Sequence, residues 1–351
     1  MKKTIIAVLL CMCLTLGLCA VCAVLAGEDT AGAAELEVIT PEPTATPIPG
    51  FLYLTVSKLN FSIVGESENI YCGTIPAEEA EWVSADEAVV TVENGVVTAV
   101  GVGSTVVSCE YNGEHWEAEV GCLAENEEAL KKLSDDVLRT PKRVPPVISD
   151  EPITWYDDAA IVGDSISYIM WQWESQYNYI GDVTFLVRGG TSLNGFVNGF
   201  MNIYHKGRET PLETIVETVG VNKVFLMMGQ NDLRYRSVDD TMESWDVLTT
   251  RMLEKNPHVE IYIQSLIPEW METRADNANN EKIEEYNVRV KAFCEEKGFH
   301  FVDVAPYAVD HIGKMPTTYS LDHSIHMNEE GCYQWMQLLK TYAYLQEHKG
   351  E

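Results

Sequence analysis

The stretch AAIVGDSISYI, Ala159 to Ile169, places a Gly-Asp-Ser turn between an apolar run and a segment of helical character. A short apolar run of this kind is typical of a buried strand. Gly-Asp-Ser on its own is also a common turn and helix cap. The stretch therefore predicts a strand-to-helix turn, and it leaves two roles open for Ser165: a turn residue, or a nucleophile held at the end of a sheet.

From Trp155 onward, apolar strands alternate with longer helical patterns. The predicted strands lie near 159–162, 183–187, 223–228, 259–264 and 300–304. The clearest helical patterns cover 239–255, 279–297 and 328–347. This alternation predicts an α/β domain at 155–351, with a five-stranded parallel sheet covered by helices on both faces. In such sheets, functional sites form beyond the carboxyl ends of the strands.

Small polar motifs follow the first, second, third and last of these strands. They are, in order, GDS with Ser165, RGGTSLN with Gly189 and Gly190, GQND with Asn231, and LDHSIHMNEEG with His326. Each motif alone has an ordinary interpretation as a turn, a helix cap or a surface histidine. Because the strands are predicted to be parallel neighbours, the four motifs are expected at one edge of the sheet, which favours a shared site.

The residue types in these motifs fit acyl chemistry at a serine. Ser165 needs a base, and His326 is the candidate that takes its proton. The oxyanion needs preorganised donors, and three are available: the backbone N–H of Ser165, the N–H of a loop glycine and the side-chain amide of Asn231. This chemistry requires neither a metal nor an organic cofactor.

Over 155–348 the chain resembles the SGNH hydrolases, the superfamily of GDSL-type esterases and acylhydrolases, because all four motifs occur in the superfamily's order. The resemblance implies a five-stranded parallel sheet with flavodoxin-like strand order. It also implies Ser165 as nucleophile, His326 as base and Asn231 as an oxyanion donor. It favours Gly189 over Gly190 as the oxyanion glycine, because the GTS that begins at the second glycine then fits the family's usual context.

The acidic residue of the predicted site departs from the family pattern. The family usually has aspartate three residues before the histidine, but here that position is His323 and Asp322 stands four before. We expect a bulge or a tighter turn to bring Asp322 to His326. The alternative is a Ser165–His326 dyad oriented by a backbone carbonyl. A zinc site at His323 and His326 lacks clear further ligands.

Aromatic residues crowd the segment after the nucleophile. One helical stripe is predicted to be core and contains Ile166, Ile169, Met170, Trp173 and Tyr177. Tyr168 and Trp171 lie off that stripe, and Trp270 follows the fourth predicted strand. These last three residues are the candidate substrate-binding side chains.

The first 50 residues predict export. Two lysines precede an apolar stretch that runs to Ala26, so 1–26 is predicted to be a signal peptide or an uncleaved N-terminal anchor. A Pro/Thr-rich linker is predicted at 27–50, where TPEPTATPIPG is extended and semi-rigid. We therefore expect an extracellular or cell-surface protein, tethered to the cell envelope if the N-terminal segment is retained.

A small β-sandwich is predicted at 51–124, where runs such as LYLTV, AVVTV and STVVSCEY alternate. The order EWVSADEAVVTVENGVVTAVGVGSTVVS resembles the bacterial immunoglobulin-like group 2 domain, which implies a spacer or an adhesion module. In the connector at 125–154, Asn126 to Arg139 predicts a short charged helix, and a Pro-Pro pair ends it. With a spacer before it, the α/β domain is expected to be autonomous and active in a fragment that begins near Ser149.

Composition limits the partners and the redox chemistry. With 24 Lys+Arg and 54 Asp+Glu the formal net charge is -30, which argues against binding nucleic acid or anionic lipid. Outside the N-terminal apolar stretch, the cysteines are Cys72, Cys109, Cys122, Cys294 and Cys332. Their number is odd, and their spacings match no metal knuckle. One disulfide in the N-terminal domain and buried free thiols both remain open.

These observations predict an exported serine esterase that hydrolyses an acyl ester, with an acetyl group on a plant or cell-wall polysaccharide favoured as substrate. Two alternatives stay open: an acyltransferase that decorates an envelope polymer, and a binding or adhesion protein with an inactive hydrolase fold. Comparing acetyl transfer to a sugar with acetate release into water distinguishes an acyltransferase from an esterase. The intact Ser165, Asn231 and His326 argue against the second.

Overall fold

The computed structural model describes residues 55–73, 75–149, 151–271 and 279–347. The predicted signal peptide or anchor at 1–26 and the predicted linker at 27–50 lie outside the described residues. Within the described part of the chain, no helix is long and apolar enough to cross a membrane.

The N-terminal part is an all-β unit of two small sheets. Its strands are β1 Lys58–Ile63, β2 Ser67–Asn69, β3 Glu81–Ser84, β4 Val90–Glu93, β5 Val96–Ala99, β6 Gly103–Tyr111 and β7 Glu114–Ala124. One sheet has the order β3-β6-β7-β1 with a further connector strand beside β1, and the other has the order β2-β5-β4. The alternation predicted for β6 is present, because Thr105, Val107 and Cys109 are buried between more exposed neighbours. The immunoglobulin-like assignment of this unit stays a prediction.

The cysteines divide between the two arrangements left open by the sequence. Cys72 and Cys109 form a disulfide inside the N-terminal unit. Cys122, Cys294 and Cys332 are buried free thiols. Burial raises the pKa of each of these three thiols, so they behave as small apolar side chains rather than as nucleophiles.

The connector differs from the single helix predicted over Asn126–Arg139. It contains two one-turn helices, α1 Glu127–Leu130 and α2 Asp135–Leu138. The helical run is interrupted because Ser134 takes the extended conformation of an N-cap and starts a second helix. The connector then forms a short strand, β8 Arg143–Val144, which pairs antiparallel with β1. The sequence did not predict this strand.

The five predicted strands of the C-terminal domain all form. They are β9 Ala159–Gly163, β10 Thr184–Val187, β13 Lys223–Met227, β14 Glu260–Gln264 and β15 His300–Val302. Every pairing among them is parallel, and the order is β10-β9-β13-β14-β15. The predicted five-stranded parallel sheet is thus confirmed, and its order is that of flavodoxin-like sheets. Strand β9, which lies between β10 and β13, is buried along its whole length, as its apolar sequence requires.

Helices cover this sheet. They are α3 Ser165–Tyr177, α4 Leu193–Val197, α5 Leu212–Val219, α6 Gln230–Leu233, α7 Val238–Lys255, α8 Asn280–Lys297 and α9 Glu329–Glu347. The three long helical patterns read from the sequence correspond to α7, α8 and α9. A small hairpin of β11 Ile203–His205 and β12 Arg208–Thr210, which the sequence did not predict, stands between α4 and α5.

The predicted core stripe of α3 is correct for most of its length. Ile166 and Met170 are buried, and Ile169 and Trp173 pack half-buried against the core. The prediction that Tyr177 belongs to the core is wrong, because its side chain is 39% exposed at the last position of the helix. The chain leaves the helix there through Asn178 in a left-handed conformation, and the Tyr177 ring stacks on Tyr179 instead of the sheet.

Candidate active site

The turn from β9 into α3 presents Ser165 at the carboxyl edge of the sheet. A side chain at Gly163 would lie only 2.1 Å from Ser167 Oγ, so glycine is required for the close approach of strand and helix. Asp164 caps the helix, since its Oδ1 accepts the N–H of Ile166 at 2.9 Å. Ser165 is the first residue of α3 and is half-buried. Helix capping therefore explains the aspartate at position 164. It does not use the Ser165 hydroxyl, which is free for another role.

That hydroxyl lies in a relay of three side chains. Ser165 Oγ is 2.9 Å from Nε2 of His326. Nδ1 of the same histidine is 2.5 Å from Oδ2 of Asp322. The other carboxylate oxygen of Asp322 accepts the backbone N–H of Ser324 at 2.9 Å. The structure thus brings together the predicted nucleophile, base and acid, in spite of the four-residue spacing.

The loop that carries the acid and the base explains how this spacing is accommodated. His323 adopts a positive φ of 54°, which few non-glycine residues take up. Its N–H donates to Ser320 Oγ at 2.9 Å, and the N–H of Leu321 donates to the carbonyl of His326 at 2.9 Å. The left-handed residue makes the tight turn that rotates Asp322 toward the imidazole.

The electrostatics of this loop favour an ionised acid. Partial burial raises the pKa of Asp322, but the hydrogen bond and the charge of His326 lower it further than burial raises it. The net pKa lies below the ordinary value, so the carboxylate is charged at neutral pH. A charged partner on Nδ1 fixes the tautomer of His326 and stabilises its protonated form.

Backbone donors stand beside the serine. A side chain at Gly189 would come within 3.9 Å of Ser165 Cβ, so this glycine lies against the nucleophile. Gly190 has φ +73° and forms the turn that follows. Neither the Ser165 N–H nor the Gly189 N–H has a hydrogen-bond acceptor among the described residues. Both are available to a ligand oxygen.

Asn231, the third predicted donor, is held by two acceptors. Its Nδ2 donates to Asp164 Oδ2 at 2.9 Å and to the carbonyl of Thr191 at 2.9 Å. These bonds place the amide between the serine turn and the glycine loop. Both of its hydrogens are engaged in this structure, so donation to an oxyanion requires one of the two bonds to be exchanged.

Part of the chain matches a known protein family. Residues 161–333 match the model of the GDSL-like lipase/acylhydrolase family. This part of the chain is a GDSL-like domain. None of the curated proteins compared with the chain matched it.

Three solved structures are examples of those to which the chain is similar. A protein of Bacteroides fragilis assigned as an acylhydrolase is 18% identical, with a TM-score of 0.45, and the match covers 55% of this chain and 89% of that one. A GDSL-like lipase from Bacteroides thetaiotaomicron is 17% identical, with a TM-score of 0.42 and coverages of 55% and 90%. A carbohydrate esterase family 3 protein from Talaromyces cellulolyticus is 14% identical, with a TM-score of 0.39 and coverages of 54% and 98%.

Two buried carboxylates support the GDSL-like site, and the sequence interpretation assigned no role to either. Asp232 accepts the backbone N–H groups of Leu193 and Asn194 at 2.8 and 2.9 Å, so it ties the GQND motif to the start of α4. Asp164 joins the serine turn to Asn231. Burial raises the pKa of both carboxyls, to about 6 for Asp164. Their positions next to Ser165 and Asn231 in the motifs were the available signal.

The candidate substrate-binding aromatics fall into two environments. Tyr168 and Trp171 are 38% and 37% exposed on α3, and their rings lie 5.2 Å apart. Trp270 instead contacts other side chains: its ring is 4.5 Å from that of His323 and 4.7 Å from the Arg139 guanidinium carbon. The first pair is open to a ligand. Trp270 lies against the loop that carries the acid.

Proposed function

We propose that the chain is an exported serine esterase that hydrolyses acyl esters through an acyl-enzyme on Ser165. The observation that supports this most is the Asp322–His326–Ser165 relay, with separations of 2.5 and 2.9 Å. It lies beside the two free backbone donors, as nucleophilic acyl chemistry requires.

In the first half-reaction, Ser165 Oγ attacks the ester carbonyl carbon while Nε2 of His326 takes its proton. The oxyanion receives hydrogen bonds from the N–H groups of Ser165 and Gly189, and from the Asn231 amide once it has exchanged an acceptor. Collapse of the tetrahedral intermediate breaks the bond to the alcohol, which leaves with the proton from His326. Asp322 stabilises the imidazolium throughout.

In the second half-reaction, water attacks the acyl carbon and gives its proton to His326. The same donors hold the second oxyanion. When that intermediate collapses, the acid leaves and Ser165 Oγ recovers the proton from Nε2. The two halves thus use one base in both directions, which suits a histidine held at a fixed distance from the serine.

For the substrate, we propose a small acyl group, acetyl above all, on a carbohydrate alcohol. The exposed ring pair of Tyr168 and Trp171 supports this proposal, because both residues follow the nucleophile within two helical turns. Flat, half-exposed rings with polar tips suit the amphipathic faces of a sugar. The export part of the proposal rests on the N-terminal sequence alone.

Hydrolysis of p-nitrophenyl acetate tests this function. We expect the wild-type protein to be active and Ser165→Ala to lose activity by at least about 10³-fold, which is the scale for removing one member of such a relay. Ser175→Ala is the matched control, because Ser175 lies on the same helix, is exposed and, among the described residues, bonds through its side chain only to the carbonyl of Trp171. Equal rates in the two variants would reject a serine mechanism at this residue.

A further inference from the structure

Arg139, at the end of the connector helix α2, binds four groups of the GDSL-like domain. Its Nε forms an ion pair with the buried carboxylate of Asp310. Its Nη2 donates to the carbonyl of Met315 at 2.7 Å and, more weakly, to that of Trp270 at 3.5 Å. Its own carbonyl accepts the N–H of Thr317 at 3.0 Å. The planar guanidinium fork suits several fixed acceptors at once.

Trp270 continues this chain of contacts into the loop that carries Asp322 and His326, here called the catalytic loop. Its backbone N–H donates to the carbonyl of Ser324 at 2.7 Å, and its ring stacks on His323. The N–H of Ser324 in turn donates to Asp322 Oδ1 at 2.9 Å. The catalytic carboxylate is therefore connected to Arg139 through two residues, each link being a hydrogen bond or a ring contact.

Other connector contacts strengthen this link. The N–H of Lys142 donates to the carbonyl of Val309, and the N–H of His311 donates to the carbonyl of Leu138. From strand β1, Ser62 Oγ lies 3.0 Å from Nδ1 of the buried His311. The all-β unit and its connector thus hold the segment that leads into the catalytic loop, which argues against the predicted role of a simple spacer.

We infer that Arg139 is a positioning residue for the Asp322–His326 loop, so that the connector takes part in building the active site. The inference rests on the proposed function. Loops are held in place only by such contacts, and a displacement of about 1 Å at a reacting group can lower the rate by about 10²-fold. None of the contacts of Arg139 among the described residues is with Ser165, so Arg139 acts at a distance.

Replacing Arg139 tests the inference, with a second connector arginine as the control. Arg139→Gln should lower kcat for p-nitrophenyl acetate by about 10- to 100-fold with little change in KM. Arg143→Gln should leave kcat within about two-fold, because the contacts of this side chain among the described residues do not reach the Asp322–His326 loop. Arg143 pairs with Glu68 and lies over Tyr307, away from the catalytic loop. Equal kcat values in the two variants would overturn the inference.

A double-mutant cycle separates positioning from general destabilisation. If Arg139 acts through Asp322, then Arg139→Gln should cost almost nothing more once Asp322→Asn is present. Additive losses in the folded proteins would contradict the inference. Because Arg139→Gln alone leaves a buried carboxylate unpaired, Arg139→Gln with Asp310→Asn serves as the variant that folds without an orphan charge.

Amide hydrogen exchange gives a readout that does not depend on the reaction. Residues 320–328 should exchange faster in the Arg139→Gln/Asp310→Asn protein than in wild type, whereas Arg143→Gln should leave them unchanged. Unchanged exchange in both would reject the positioning role. If the wild-type protein is inactive but exchange is faster in Arg139→Gln/Asp310→Asn and unchanged in Arg143→Gln, the esterase proposal is rejected and the structural link is supported.

Discussion

His323 adopts its left-handed conformation, φ 54°, between the acid and the base of the candidate site. One more residue separates Asp322 from His326 here than in the family pattern. The positive φ tightens the turn, and the Ser320 hydroxyl fixes it by accepting the His323 N–H. At this scale, a single backbone conformation compensates for a shift in sequence.

Replacing Asp322 tests whether its carboxylate takes part in the relay. Asp322→Asn should lower kcat by about 10³–10⁴-fold, because the amide favours the wrong tautomer of His326 and cannot stabilise its charge. His323→Ala should cost only a few-fold, since the bond from Trp270 N–H to Ser324 remains. The measurement is kcat at neutral pH in folded protein. Near-wild-type activity of Asp322→Asn, with none in His326→Ala, would favour the dyad.

The burial of Asp164 predicts a pH-dependent stability. Burial raises its pKa from 3.8 to about 6; Asp232 raises it as well, and the bond from Ile166 with the charges of His326 and Arg234 lowers it. A raised pKa means that the stability contribution of this group is complete below about pH 4 and is lost as the pH rises through about 6. Above that range, the buried ionised carboxylate lowers the free energy of unfolding by on the order of 1–3 kcal/mol.

Asp164→Asn should therefore be more stable than wild type at pH 8, but not at pH 4, because asparagine also caps a helix well. Its kcat should fall, because Asn231 loses its charged acceptor. Thermal melts at both pH values measure the first effect, and Asp157→Asn, an exposed change just before β9, is the control. If the difference in Tm between the variant and wild type is the same at both pH values, Asp164 does not carry the predicted burial cost.

At the scale of elements, the sheet was predictable and the connector was not. The five parallel strands and their end motifs are local features, because each apolar run and each short polar motif can be recognised without its neighbours. The ion pair of Arg139 with Asp310 joins residues 171 positions apart. Strand β8 and the hairpin β11–β12 have two and three residues per strand, too few for a periodic pattern.

The same distinction applies to the site. Ser165, Asn231 and His326 were recognised by type and order. Asp322 was recognised as the candidate acid. The backbone turn that directs its carboxylate toward His326 depends on the tertiary contacts of His323. The supporting roles of Asp164, Asp232 and Arg139 depend on pairs that only the folded chain brings together. For the two aspartates, the local signal was their position beside Ser165 and Asn231 in the motifs.

Removing the N-terminal unit tests the role of the connector as an element. A fragment that begins at Ser149 lacks Arg139 and Ser62. Asp310 therefore loses its ion-pair partner, and His311 loses its hydrogen bond with the Ser62 hydroxyl. We expect a lower Tm and, per folded molecule, a kcat at least about 10-fold lower than in a fragment that begins at Thr55. Equal Tm and kcat in the two fragments would restore the interpretation of this unit as a spacer.

At the scale of the whole molecule, the formal charge of -30 sets the partners that the account allows. A surface of this charge repels polyanions, so a neutral polysaccharide ester is a more suitable substrate than an anionic lipid. The all-β unit and the GDSL-like domain share one continuous set of contacts through residues 138–144. The proposed enzyme therefore extends from the N-terminal sheets to the catalytic loop.

In the proposed mechanism, Ser165 carries the acyl group. Mixing the protein with p-nitrophenyl acetate, quenching in acid within the first turnover and mapping the peptides by mass measures this directly. We expect one acetyl group on the peptide that contains Ser165, absent from Ser165→Ala and present in Ser175→Ala. Ester hydrolysis with no acetyl group on Ser165, or with acetylation that persists in Ser165→Ala, would contradict it.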